Sequence, residues 1–191
     1  AYEISTRDWS SDVCSSDLSA IPYTSFPQSQ FSNTFVDGAN TYLGGSGIVA
    51  VPVLIDPLVL YWNRDLFAAA NTPMPPQYWD EIPTFASQFT KRSDAGTITK
   101  SAIALGQYQN IDAAKDILSM LFLQAGSSIT GRDSSEHIVP MLSQGGANNA
   151  MSALRYFIEF ADPSKNDYTW NRSLPNARQA FASGDLALYI G

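Results

Sequence analysis

The stretch Val51–Ile82, VPVLIDPLVLYWNRDLFAAANTPMPPQYWDEI, decides the fold that this sequence predicts. It starts as an apolar run that an Asp-Pro pair interrupts, and it continues as the alternating sequence Leu58–Trp62, which is typical of a β-strand. Asn63 is a suitable N-cap for a short helix, the prolines that follow stiffen a turn, and a second helix is expected from Trp79. The order is therefore strand, helix, rigid turn and helix.

Strands and helices alternate along the rest of the chain as well. The predicted helices are Gln30–Asn40, Arg64–Ala70, Trp79–Lys91, Ile111–Ala125, Asn148–Ala161 and Ser173–Gly184, and the predicted strands are Ile48–Ile55, Leu58–Trp62, Ala102–Leu105 and Leu186–Ile190. The first strand is almost continuously apolar, so we expect it to be covered on both faces. Gly44–Gly47 reads as a linker. This alternation predicts an α/β fold with a largely parallel sheet.

Composition narrows the classes of function. The 191 residues carry a net charge of −7 with only 11 Lys and Arg, whereas nucleic-acid binding needs clustered basic residues, so we expect no nucleic-acid partner. The apolar stretches are shorter than the ~20 residues of a membrane-spanning helix. One His and one Cys offer no common metal site, and no cofactor-binding motif occurs, so we expect neither metal nor cofactor.

The opening stretch also resembles a family. Extracellular solute-binding proteins of ABC importers show the pattern P-x-x-x-[DE]-x-L-x-L-x-[YW]-N-[KR]-D-L-F, followed by P-x-T-W-[DE]-E-[IL], where their chain crosses from the first lobe to the second. Residues 52–67 and 76–82 match it, except that Tyr78 replaces the usual capping Thr. Residues 101–126 and 180–191 resemble the family's strand, ligand loop and long helix, and its F-x-x-G-x-x-A-[ML]-x-x-G signature.

The resemblance implies a two-lobed periplasmic-binding-protein-like α/β fold, of which this chain is a fragment. We expect a partial first lobe at 19–54, a hinge crossing at 55–59, and a truncated second lobe at 60–191. It also implies a non-enzymatic function: capture of a small solute of the sugar or oligosaccharide class and its delivery to the membrane permease subunits of an ABC transporter. The location implied is periplasmic or extracellular, with a signal or membrane anchor expected ahead of Ala1.

Residues 8–18, DWSSDVCSSDL, interrupt this picture. They show neither apolar period, and they resemble a translated sequencing adapter, so we interpret residues 1–18 as an artefact or disordered segment of a metagenomic gene fragment. The alternative is a natural loop rich in Ser and Asp. On the first interpretation Cys14, the only cysteine, does not belong to the protein, and thiol chemistry is excluded.

Asp56 is the leading candidate for ligand contact. It lies at the predicted crossing, where ligands of two-lobed α/β proteins bind, and a sugar hydroxyl would give it a charge-assisted hydrogen bond. The alternative is a local role in capping the Asp-Pro turn.

Gln107, Tyr108, Gln109 and Asn110 form a polar loop between a strand and a helix. Side-chain amides donate and accept hydrogen bonds at once, which suits the vicinal hydroxyls of a sugar. Asn110 could instead be the N-cap of the following helix. Trp170 lies in a polar stretch and is a candidate stacking platform, whereas Tyr61, Trp62 and Trp79 have positions that favour core packing.

A carbohydrate-active hydrolase is the alternative function. Such an enzyme needs two carboxylates about 5–10 Å apart across a cleft, so a second acid facing Asp56 would favour it. Asp80 and Glu81 are adjacent on a helix and point in different directions, and acidic residues at a helix start are commonly structural.

Overall fold

A computed structural model describes residues 20–135, 137–142 and 147–191. Residues 8–18, interpreted above as an artefact, lie outside the described residues. The chain divides into two compact units, residues 1–56 and 57–191. This division falls inside the predicted crossing at 55–59, and the assignment of the two units to two lobes stays a prediction.

The first unit has a small aromatic core in its described part, residues 20–56. Helix α1 (Gln28–Thr34) is followed by a 3₁₀ helix (Asp37–Tyr42), because the backbone turns extended at Phe35. Phe31 is fully buried and its ring lies 4.7 Å from that of Phe35. The single helix predicted at Gln30–Asn40 was therefore wrong, and Val36, which lies within that predicted helix, is 59% exposed.

Glycine is required where this unit folds back on itself. Ile21 and Ile48 form an antiparallel bridge with hydrogen bonds of 2.8 and 2.9 Å. A side chain at Gly47 would overlap the carbonyl of Ile21. The glycine-rich stretch is thus a tight turn against this bridge, and not only a linker.

The covered strand predicted at Ile48–Ile55 was wrong for the described residues. Only Ile48 makes a bridge, and the segment after it has no regular secondary structure and pairs with no strand among them. Val53 and Leu54 are 98% and 84% exposed. A β-branched sequence favours extended backbone, but a strand also needs a neighbour to bond its N–H and C=O groups.

The second unit is a mixed sheet with helices packed around it. Its helices are α2 (Arg64–Ala69), a 3₁₀ turn (Trp79–Glu81), α3 (Ile82–Phe89), α4 (Ala114–Gln124), α5 (Ala147–Glu159) and α6 (Ala177–Ala182). Its strands are β1 (Leu60–Trp62), β2 (Lys91–Arg92), β3 (Ile98–Ile103), β4 (Thr130–Arg132), β5 (Ile138–Pro140) and β6 (Leu186–Ile190). The predicted α/β class is confirmed.

The sheet is less parallel than predicted. Its order is β1-β6-β3-β2, in which β3 and β6 are parallel while β1 and β2 are antiparallel to their neighbours. The connection from β2 to β3 is a short hairpin, which requires an antiparallel pair. A separate hairpin joins β4 to β5. Neither β2 nor this hairpin was predicted from the sequence.

The core lies between the sheet and its helices. Phe67, at the centre of an aromatic cluster, stacks on Phe89 at 4.5 Å and meets Trp62 edge to face at 5.1 Å. On the sheet, Ile103 and Leu188 are completely buried. Among the described residues no helix has the length and apolar character needed to cross a bilayer.

Local signals at helix ends were predicted well. The Asn63 side chain accepts hydrogen bonds of 3.1 Å from the backbone N–H groups of Asp65 and Leu66, which confirms it as the N-cap of α2. Gly126 and Gly184 follow α4 and α6 with φ of 77° and 80°, the left-handed conformation that ends many helices.

Candidate functional site

The carboxyl ends of β3 and β6 define one edge of the sheet. Because these two strands are parallel, the loop after Ile103 and the residue after Ile190 emerge at the same edge, where open α/β sheets commonly bind ligands. The antiparallel β1 begins there too, since Val59 and Gly191 exchange backbone hydrogen bonds of 2.9 and 3.2 Å.

The predicted polar loop lies at this edge. Tyr108 is 74% exposed, Gln109 is exposed, and Gln107 is half-buried. Gly106 precedes them with φ of 84°, and a Cβ placed on it would lie 2.6 Å from the Cβ of Ala161. The loop therefore leaves β3 through a left-handed residue that packs directly against the end of α5.

Asn110, the last residue of the loop, is used internally. Its Nδ2 donates to the carbonyl oxygens of Asn171 and Leu174 at 3.0 and 3.1 Å, and its Oδ1 accepts from Trp170 Nε1 at 3.1 Å. Its own carbonyl accepts from the backbone N–H of Ala177 at 2.8 Å. It is not the N-cap of the next helix, because α4 begins at Ala114.

Trp170 does not lie in an open polar loop as the sequence suggested. It is 1% exposed, and its indole N–H is satisfied by Asn110. The adjacent Thr169 is also fully buried, so this stretch is polar by sequence but interior by position. Two of the predicted ligand contacts, Asn110 and Trp170, are therefore bonded to each other across 60 positions of sequence.

A groove of about 480 Å³ adjoins the loop. Apolar residues of α4, α5 and the segments that flank the β4–β5 hairpin form most of its surface: Ala114, Leu118, Phe122, Ile129, Leu142, Leu154, Phe157 and Ile158. Gln107, Tyr108, Lys115 and Ser119 add polar groups. An apolar surface with a few polar groups is the usual make-up of a small-molecule site.

A second, smaller recess lies where β1 begins. It measures about 230 Å³ and is lined by Leu58, Val59, Leu60, Pro76, Gln77, Tyr78, Trp79, Ile82, Ile103, Met120 and Ile190. Tyr78, which stands where the family usually has a capping Thr, is 70% exposed in this recess. The cap is supplied by Glu81, whose Oε2 accepts from the N–H groups of Gln77 and Tyr78 at 2.6 and 3.1 Å.

The aromatic residues expected in the core are divided between the interior and the surface. Trp62 packs on Phe67, and Trp79 is half-buried with its Nε1 donating to Gln124 at 2.6 Å. Tyr61 is 47% exposed and stacks on Tyr189, with ring centroids 5.8 Å apart. Burial raises the pKa of Tyr189, and the charge of Asp112 adds to this.

Asp56 is the last residue of the first unit. It is exposed, and within the described ranges its carboxylate makes no hydrogen bond or ion pair. Asp56 therefore does not cap the Asp-Pro turn in the described ranges, because none of the backbone N–H groups that follow it donates to its carboxylate. Its contact with a ligand stays a prediction.

Nothing in the described part of the chain resembles a metal centre. No group of three or more His, Cys, Asp or Glu side chains is arranged there to hold an ion. His137 lies 3.5 Å from Asp133 in the β4–β5 hairpin, and both are partly exposed.

Comparison with protein-family profiles shows which family the chain belongs to. The profile of the bacterial extracellular solute-binding proteins matches residues 5–191, almost the whole chain. The chain belongs to this family. The resemblance drawn from residues 52–82 is therefore confirmed. No curated protein sequence matches this solute-binding chain.

Solved structures with the same fold include two trisaccharide complexes. One is CpMnBP1 with mannotriose bound, which has a TM-score of 0.63 and 21% identity over 91% of this chain. The other is the Thermus thermophilus maltotriose binding protein with maltotriose bound, which has a TM-score of 0.57 and 16% identity over 90% of this chain. This solute-binding chain spans 44% and 42% of their lengths, so it corresponds to less than half of either protein.

Proposed function

We propose that this chain belongs to the sugar-capturing component of an ABC importer, and that it takes part in binding a sugar or oligosaccharide. Family membership supports capture of a solute, and the trisaccharides in the two similar structures support the ligand class. The observation that carries the proposal within the chain is the polar loop Gln107–Gln109 at the carboxyl edge of the sheet, in which Tyr108 and Gln109 are exposed.

The chemistry of this loop suits an uncharged polyol. The side chains of Gln107, Tyr108 and Gln109 make no hydrogen bond among the described residues, so their amides and hydroxyl remain available. The exposed ring of Tyr108 offers a flat apolar surface to the C–H face of a pyranose. Among the described residues Lys115 is the only cation that lines the adjoining groove, which argues against a highly anionic ligand.

Asp56 is the proposed second contact. Its exposed carboxylate would accept hydrogen bonds from sugar hydroxyls, and such charge-assisted bonds are roughly twice as strong as neutral ones. Ligand-binding measurements on Asp56 variants can test this role.

Calorimetric titration with maltotriose and mannotriose tests the proposal. We expect at least one to bind, and we expect Asp56→Ala to weaken binding about 10- to 100-fold, since a hydrogen bond to a charged group contributes about 1.5–3 kcal/mol. Asp94→Ala is the matched control, because Asp94 is an exposed acid in the β2–β3 hairpin at the opposite edge of the sheet. Equal affinity of the Asp56 and Asp94 variants would remove Asp56 from the site.

The Tyr108 ring and hydroxyl can be tested separately. Tyr108→Phe keeps the ring and Tyr108→Ala removes it, so stacking predicts near-normal binding in the first variant and a clear loss in the second. Amide chemical shifts recorded during the same titrations should move at 107–109. Shifts confined to other parts of the chain would contradict this placement.

We propose further that the protein acts outside the cytoplasm and passes its ligand to membrane permease subunits without changing it chemically. Genes for two permease subunits beside the intact gene would support this role, and their absence would weaken it. Chromatography after long incubation with either trisaccharide should recover it intact. Appearance of shorter sugars would instead favour the hydrolase alternative.

A further inference from the structure

The two ends of the exposed loop are anchored in the second unit. At one end, Gly106 has φ of 84° and approaches α5 so closely that a Cβ would lie 2.9 Å from Ala161 N and 3.0 Å from Phe157 O. At the other end, the side chain of Asn110 makes three hydrogen bonds. Only three residues, 107–109, lie between these anchors.

The bonds at Asn110 leave it little capacity for a solute. Both amide hydrogens are donated to backbone carbonyls, and Oδ1 already accepts the indole N–H of the buried Trp170. Turning this amide toward a ligand would leave the Trp170 N–H unpaired in the interior. Leaving a buried polar group without a partner destabilises the folded state, because the group loses its hydrogen bond to water and gains none in the interior.

We propose that Asn110 and Trp170 are positioning residues, which hold Gln107–Gln109 in a preformed shape for the solute without touching it. This inference rests on the proposed function of the loop. A loop that is ordered before binding spares the entropic cost of ordering its side chains on binding.

The variant Trp170→Phe tests this role. It keeps an aromatic ring in the core but removes the donor to Asn110 Oδ1 together with part of the buried indole. We expect faster amide hydrogen exchange at 107–109 in the unliganded 191-residue chain, and about 3- to 10-fold weaker binding of the trisaccharide that the wild type binds. Trp79→Phe is the matched control, because it makes the same substitution and deletes an indole donor, in this case to Gln124 Oε1 at 2.6 Å, a bond that involves neither anchor of the loop.

A double-variant cycle separates positioning from direct contact. If Trp170 acts through the loop, its effect on affinity should nearly vanish when Tyr108 and Gln109 are both replaced by Ala. An affinity loss that adds in full to the loop variant would show that Trp170 touches the solute, and would overturn the proposal. So would a Trp170→Phe variant with unchanged exchange at 107–109.

A second variant, Asn110→Asp, tests the same anchor by changing Asn110 and leaving Trp170 in place. It keeps an acceptor for Trp170 but directs an oxygen at the carbonyls of Asn171 and Leu174, so faster exchange at 107–109 is again expected. Failure of the wild type to bind either trisaccharide would contradict the proposed function alone. The exchange measurements would still decide the anchoring, with acceleration supporting it and no change overturning it.

Discussion

Tyr156 donates a hydrogen bond of 2.6 Å from its Oη to the carbonyl oxygen of Trp79, and the two rings meet edge to face with centroids 6.0 Å apart. This contact joins α5 to the 3₁₀ turn that leads into α3. It fixes the position of the Trp79 backbone, which also lines the recess beside β1.

We expect Tyr156→Phe to lower the free energy of unfolding by about 1 kcal/mol, because the Trp79 carbonyl loses its partner while the ring packing remains. Urea denaturation followed by circular dichroism measures this. An unchanged midpoint would mean that solvent replaces the bond without loss.

The Tyr156 hydroxyl should also make the stability of the protein depend on pH. Burial, followed by the charges of Glu159, Asp167 and Asp80, raises the pKa of Tyr156 well above its ordinary value of about 10. Since the folded pKa is raised, the stabilisation is complete below about pH 10 and is lost as the pH rises from there toward the folded pKa. The stability difference between wild type and Tyr156→Phe should therefore shrink above about pH 10. A constant difference across this range, in urea titrations at a series of pH values, would contradict the assignment.

Gly106→Ala should be strongly destabilising. The substitution adds a Cβ at φ of 84°, and that atom would lie 2.6 Å from Ala161 Cβ. The left-handed backbone alone costs about 1–2 kcal/mol, and the overlap with α5 adds to it. The measurement is again the free energy of unfolding in urea.

Gly96→Ala is the control for that prediction. Gly96 has nearly the same φ, 79°, but a Cβ there would meet nothing within 4 Å. It should show the backbone cost without the overlap, so Gly106→Ala should be the more destabilising of the two. Equal effects would show that the close approach of the loop to α5 contributes nothing.

Thr169 is the centre of a buried polar network. Its Oγ1 accepts hydrogen bonds from Ala102 N at 2.8 Å and from Thr90 Oγ1 at 2.6 Å. Thr169→Val keeps the shape but strands the buried Ala102 N–H, so we expect a loss of about 1–3 kcal/mol. Thr169→Ser keeps the hydroxyl and should retain most of the stability. A valine variant as stable as the serine variant would refute the network's contribution.

Much of the second unit could be predicted because its signals are local. Leu186–Ile190 is the observed strand β6, and Asn63, Gly126 and Gly184 end or begin helices as expected. Caps and apolar periods are set by residues within a few positions of each other, and one sequence therefore suffices to recognise them.

Pairing over long distances could not be predicted. Nothing in a single sequence specifies that Trp170 will donate to Asn110, or that β6 will lie between β1 and β3. For the same reason the apolar run after Ile48 suggested a covered strand, although composition does not reveal which neighbour would cover it. Binding-site residues are subject to the same limit. The polar neighbours of Trp170 in the sequence suggested an exposed side chain, but the residue is buried.

The start of α3 shows how a local rule can be satisfied by a different residue. Tyr78 stands where a capping Thr is usual in the family. Glu81 instead reaches back to the N–H groups of Gln77 and Tyr78, which is the acidic half of a capping box. We therefore expect Glu81→Ala to cost about 1–2 kcal/mol of unfolding free energy, measured in urea.

Two further variants separate hydrogen bonding from charge at this helix start. Glu81→Gln keeps an acceptor oxygen and should retain most of the stability. Asp80→Ala removes an adjacent acid whose side chain makes no hydrogen bond among the described residues, so only the helix-dipole contribution of about 0.3–1 kcal/mol is at stake. If Asp80→Ala proved as costly as Glu81→Ala, charge near the helix N-terminus would explain both losses, and the cap formed by Glu81 would have no separate effect.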